Sequence, residues 1–132
     1  TSLRFVLACA ALTACASGPQ IAPEQRLADL ATATHTPVGS PDDAAANSLV
    51  VQGVVDHDTL MNMARHEVEE AIGRGEPCSR HPRCGTNGFN DDDWFYSVGT
   101  QREGYAGAVP LLLVGFDREG RVTRVWNLRI HD

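Results

Sequence analysis

The chain has 132 residues, a net charge of −6, and basic side chains that are all arginine. That length holds one domain, and the acidic balance excludes nucleic acid as the main partner, because a phosphate-binding surface needs a basic excess. Its cysteines, two near the start and two in the middle of the chain, narrow the class further.

At the start, Arg4 precedes the apolar run Phe5 to Leu12, which is followed by Thr13-Ala14-Cys15. A run of about ten residues falls short of the roughly 20 needed to cross a bilayer as a helix, but it suits the apolar core of a secretory signal. The chain opens on Thr with a single basic residue, so the charged beginning of such a signal is expected upstream. Leu12-Thr13-Ala14-Cys15 resembles the lipobox of bacterial lipoproteins. Residues 1–14 therefore read as a signal peptide and Cys15 as the lipidated mature N-terminus. Several acyl chains on one residue anchor a protein stably where one chain is marginal. Ala16, rather than Asp, follows the cysteine, and by analogy with lipoprotein sorting this points to the outer membrane.

Residues 15–47 are rich in Ala, Thr, Ser, Pro and Asp and poor in large apolar side chains, so they read as a flexible tether in which Gln25 to Ala33 can form a short helix with too little apolar surface to dock firmly. The folded domain is expected over residues 48–132. Leu49 to Val55 is β-prone and reads as an extended arm. Asp56 or Asp58 is placed to cap a helix start. Leu60, Met63, Ala64, Val68, Ala71 and Ile72 then recur at helical spacing, and Gly73, Gly75 and Pro77 end the pattern.

Cys78 and Cys84 enclose Ser79-Arg80-His81-Pro82-Arg83. In an exported chain an isolated pair reads first as a structural disulfide. A zinc site that recruits His81, a redox-active pair and free thiols remain as alternatives, although the spacing suits neither zinc nor redox chemistry. The acidic stretch Asn87 to Asp93 lacks the alternating ligands of a calcium loop and reads as a solvated turn. Catalytic motifs are missing, so neither enzyme activity nor a cofactor or metal is expected.

Beyond this point three β-rich runs appear: Trp94 to Val98, Leu111 to Phe116, and Val122 to Leu128. Asp117-Arg118-Glu119-Gly120 joins the last two as a tight antiparallel hairpin. Alternation puts Trp94, Tyr96 and Val98 on one face of the first strand and Phe95 on the other. The larger set is expected under the Leu60–Ile72 helix. Phe95 and one alternating set from Leu111 to Phe116 are then left as an open apolar strip, unless the Leu49–Val55 arm covers it.

Gln52-Gly53, Met63, Val68, Ile72-Gly73, Pro77, Trp94-Phe95-Tyr96 and Leu113-Val114-Gly115-Phe116-Asp117-x-x-Gly120-x-Val122 together resemble the SmpA/OmlA (BamE-like) family of small outer-membrane lipoproteins. The resemblance spans about residues 50 to 128. It implies an α+β fold, with one or two helices packed on one face of a three-stranded antiparallel sheet, as also in β-lactamase inhibitor proteins. It further implies a non-enzymatic accessory subunit of outer-membrane β-barrel assembly. Such a subunit binds other machinery subunits and anionic phospholipid such as phosphatidylglycerol, with contacts near Gln52, Gly53, Pro77 and Phe95. The alternative is a stand-alone periplasmic binding, inhibitor-type or stress lipoprotein on the same fold. One departure stands out: the family's Gly-Met-Thr between the helices is Asn62-Met63-Ala64 here.

Overall fold

A computed structural model describes residues 21–128. The signal peptide and Cys15 lie outside the described residues. The class is α+β. Helices α1 (Pro23–His35), α2 (Pro41–Asp56) and α3 (Arg65–Ile72) form one layer, and a four-stranded antiparallel sheet forms the next. In spatial order the sheet runs β2 (Glu76–Pro77), β3 (Trp94–Ser97), β5 (Leu111–Phe116), β6 (Val122–Leu128). A separate pair, β1 (Pro37–Val38) and β4 (Thr100–Gln101), runs parallel beside it.

The stretch expected to be a tether is folded from residue 23 onward. Pro23 starts α1 at a position where its missing N–H costs nothing. Leu27, Leu30 and Ala33 fall on one face, and Leu30 and Ala33 are buried. Ser40 caps α2: its Oγ accepts from the Asp43 N–H at 3.1 Å, Pro41 follows it, and Asp42 and Asp43 sit in the first turn. The helix then runs through Leu49–Val55, which is therefore not an extended arm. Its buried positions Asn47, Val51 and Val54 have helical spacing, so packing against α1 and the sheet overrides the β-propensity of the valines.

Asn47 locks this N-terminal half to the sheet. Its Nδ2 donates to the Ala33 carbonyl at 3.3 Å and to the Val98 carbonyl at 3.0 Å, tying the end of α1 to the end of β3. Gly99 makes the close approach possible. Its φ is +128°, and a Cβ there would lie 2.6 Å from Val38 Cγ2 and 2.8 Å from Asn47 Nδ2.

The expected Leu60–Ile72 helix is shorter than its periodicity suggested. Leu60 is fully buried, yet it belongs to a turn, and α3 begins only at Arg65. Asn62 breaks the pattern with φ +66°, a left-handed conformation that Asn tolerates better than most residues. Ala64 occupies the N-cap position, and having no side-chain oxygen it supplies no acceptor. The stabilising contact there is the Glu67 carboxylate, which accepts from the Ala64 N–H at 3.0 Å.

Strand alternation follows the reading from sequence. Trp94, Tyr96, Val98, Leu112, Val114 and Phe116 face the helices. The hairpin forms with Gly120 at φ +76°, and Asp117 Oδ1 accepts from both Glu119 and Arg121 N–H groups at 2.9 Å. The sheet, however, has four strands rather than three, because Glu76–Pro77 pairs with Trp94–Phe95. Its opposite face is not open either. The short 3₁₀ turn at Cys78–Arg80 and α4 (Pro82–Thr86) fold back over it, forming a second core of Cys78, Cys84, Phe89, Leu111, Leu113 and Leu128 with Phe95 packed against it.

Because Leu30 is fully buried between helices and sheet, Leu30→Ala is expected to cost about 2–5 kcal/mol. A urea-denaturation midpoint unchanged from that of the unmodified chain would show that this segment is not part of the cooperative fold.

Candidate functional site

The sites expected from sequence do not converge. Gln52 lies on α2, where its Oε1 accepts from Asn127 Nδ2 at 3.0 Å and its Nε2 donates to Asp56 at 2.6 Å. Gly53 lines a shallow apolar groove with Ile21, Leu49 and Val50. Pro77 and Phe95 sit near the far edge of the sheet, Pro77 opposite Trp94 and Phe95 opposite Glu76. Phe95 belongs to the face turned away from α2, and Gln52 to the face beneath it. Phe95 also meets the His81 ring edge-on at 5.1 Å and is half-buried under the cysteine loop. The anticipated open strip through Phe95 is thus closed, and the cysteine loop, not the Leu49–Val55 segment, closes it.

Cys78 and Cys84 form a disulfide with Cα atoms 5.5 Å apart. Both cysteines are buried, which keeps the bridge away from a reacting thiolate. The acidic stretch leading into β3 is less solvated than expected. Asp93 is 1% exposed, with one carboxylate oxygen accepting from the Phe116 N–H and the other from the Asn90 N–H. It fastens the cysteine loop to the β5 end of the sheet. Arg65 lies on the helix side of the same corner, its guanidinium 3.9 Å from the Phe116 ring centroid and 5.3 Å from that of Trp94.

Tyr96 donates its hydroxyl to the Gly73 carbonyl at 2.7 Å. Burial, reinforced by the nearby Glu69 carboxylate, pushes its phenol far above the usual value, against a smaller opposing effect of a backbone hydrogen bond from Gly75. The group therefore stays a protonated donor through the neutral range and closes the end of α3 onto the sheet.

The open feature is the outer edge of β6. Val98 N–H bonds the Pro110 carbonyl. Antiparallel alternation then directs the backbone groups of Leu112 and Val114 toward β3, and those of Leu111, Leu113 and Gly115 toward β6. On β6, Arg124, Trp126 and Leu128 consequently bond inward, while the N–H and C=O groups of Val125 and Asn127 point away from the sheet. The start of this edge is already occupied: Asn62 N–H bonds the Val122 carbonyl, Val122 N–H bonds the Met63 carbonyl, and Arg65 N–H bonds the Gly120 carbonyl. Beyond Val122 that cover departs, leaving a groove of about 460 Å³. Val55, Asp58 and Met61 wall it on the helix side, and Asn87 and Phe89 on the loop side. Trp126 stands in it at 53% exposure. Arg124 is held against the loop wall, over the Phe89 ring at 4.4 Å and donating to the Gly88 carbonyl.

Sequence reasoning did not mark Trp126. Its signal was its parity: it alternates with Val125 and shares a face with Arg124, an unusual place for an indole unless it rims a surface. What remained illegible was strand order, which alone makes β6 an edge.

Among the described residues no three His, Cys, Asp or Glu side chains group to hold a metal, and no helix is long and apolar enough to cross a membrane. No family model, curated protein or solved structure matches the chain.

Two outcomes are expected. Because the folded-state pKa of Tyr96 is raised, its contribution to stability is complete below about pH 10, the unfolded value, and falls as pH climbs beyond it. Tyr96→Phe should flatten that alkaline decline in melting temperature; an identical decline in the variant would assign it elsewhere. The double variant Cys78→Ser/Cys84→Ser should lose about 2–2.5 kcal/mol by the chain-entropy relation for so short a loop. Unaltered chemical denaturation after reduction would show that the bridge does not hold the loop on the sheet.

Proposed function

We propose that the chain is a non-enzymatic lipoprotein of the bacterial outer membrane that binds protein partners as a scaffold or accessory subunit of β-barrel assembly. The observation that carries this reading is the element order. Helices α2 and α3 lie on one face of an antiparallel sheet whose long strands are β3, β5 and β6, which is compatible with the arrangement that the SmpA/OmlA resemblance implies once α1 and β2 are counted as additions to it. The break between the helices supports it in detail. Asn62 stands where the family has glycine and takes a positive φ, and Glu67 supplies a cap contact where the family's threonine is replaced by Ala64.

On this reading Cys15 holds the protein on the periplasmic side of the membrane, and the sheet with its flanking loop is presented to soluble partners. A groove framed by an indole, aliphatic side chains and backbone groups without a partner among the described residues has the chemistry of polypeptide recognition rather than of bond-making. Anionic phospholipid contact belongs to the same proposal as an accessory interaction.

The test is affinity purification of the lipidated protein from its own envelope, paired with Cys15→Ala. Subunits of the barrel-assembly machinery should co-purify with the unmodified chain, and Cys15→Ala should leave the outer-membrane fraction. Recovery of a single soluble enzyme instead would assign the chain to the inhibitor-type alternative, and a Cys15→Ala protein that stays with the outer membrane would overturn the anchor.

A further inference from the structure

We infer that the outer edge of β6 accepts an extended, cationic and aliphatic segment of a partner polypeptide as an added antiparallel strand. This rests on the reading of the chain as a protein-binding scaffold and specifies how that binding is made.

The chain's own covalent structure shows that this edge takes a strand. Asn62–Ala64 lies along Arg121–Val122 in antiparallel sense, with the Ala64–Arg121 bridge and the two hydrogen bonds at Val122. The segment then turns away into Leu60 and Met61, and from Val125 to Asn127 the edge continues without a backbone partner among the described residues. An incoming strand prolongs a ladder that has already been started. Its N–H and C=O groups would meet those of Val125 and Asn127, at the spacing of about 4.8 Å that neighbouring strands keep.

The walls state the side-chain chemistry. In an added strand successive side chains point to opposite faces. One set meets Val55, Met61 and Val125, and suits valine-sized aliphatic groups. The other set meets the exposed indole of Trp126, whose face attracts a cation. One charge of each sign lines the groove: Arg124, engaged by the Gly88 carbonyl and the Phe89 ring, on the loop side, and Asp58, with no ion pair among the described residues, on the helix side. The chain as a whole carries −6, which favours the approach of a cationic segment over an anionic one. A lysine-bearing strand with alternating valines fits both walls.

The probe is the blocked peptide acetyl-Thr-Val-Thr-Val-Lys-Val-Thr-amide, added to the full chain in detergent while amide hydrogen exchange is followed by NMR. At ten times its Kd, the Val125 and Asn127 amides should exchange about tenfold more slowly, by mass action. The same peptide N-methylated at alternate residues should lose this effect. Val125→Pro removes only an outward N–H, a substitution that edge strands tolerate, and it should abolish protection while leaving the melting temperature close to that of the unmodified chain. If Val125→Pro does not fold, the N-methylated peptide decides the matter alone. Binding that survives N-methylation, or protection confined to other residues, would overturn the added strand. Light scattering that shows a dimer with Val125 and Asn127 already protected would assign the edge to a second copy and overturn it too. Envelope partners that co-purify equally with Val125→Pro would refute this docking mode and leave the scaffold reading intact, whereas no partners with the unmodified chain would refute the scaffold reading.

Discussion

All six residues of β5 are buried, and this one strand dictates the layout of the molecule. A strand buried on a single face needs one cover; a strand buried on both needs two, one on each side of the sheet. The helices α1–α3 supply the first, against Leu112, Val114 and Phe116. The disulfide loop with Phe89 supplies the second, against Leu111 and Leu113. The second cover is small, and chain entropy opposes fixing it, so a cross-link within it and the buried Asp93 that fastens it to Phe116 are what the arrangement requires.

That double burial was written in the sequence more plainly than the reading from alternation allowed. Leu111-Leu112-Leu113-Val114-Gly115-Phe116 is a continuous apolar run, and continuous runs mark strands covered on both faces. Val122 to Leu128 alternates with charged and polar residues, as a strand at a wet boundary does. The hairpin, the identity of the three long strands and the helix-facing set Trp94, Tyr96 and Val98 were all legible for these reasons. The N-terminal half was not, because its core positions are Ala33, Val38, Asn47 and a few scattered leucines, and a composition rich in Ala, Pro and Thr dilutes them below what hydropathy detects. The cap Ser40-Pro41-Asp42-Asp43 was the available signal for a helix start, and packing against α1 and the sheet then overrides the β-propensity of the valines that follow.

The break between α2 and α3 shows how a sequence period can mislead. Leu60 and Met63 share spacing with Val68 and Ile72, yet Asp58 and Asn62 both take positive φ, which no helix contains. The turn they create carries Leu60 into the core and leads Asn62–Ala64 onto the hairpin strand. A straight helix would satisfy the same apolar positions but would leave the backbone groups of Gly120 and Val122 unpaired.

The two edges of the sheet are consequently unlike. At one end β2 is two residues long and contains Pro77, which has no N–H to offer, and a short edge with proline is a poor template for another strand. At the other end β6 is seven residues long, and the protein covers only its beginning, with Asn62–Ala64. Had solubility been the sole constraint, the later part would be expected to carry a proline or a charge aimed outward. It carries Val125 between Arg124 and an exposed Trp126 instead, recessed between two walls. Recession is itself a safeguard, since walls on both sides hinder wide sheet-to-sheet stacking while admitting a single narrow strand. Where this edge serves recognition, as proposed, steric access rather than polarity is what separates that use from aggregation.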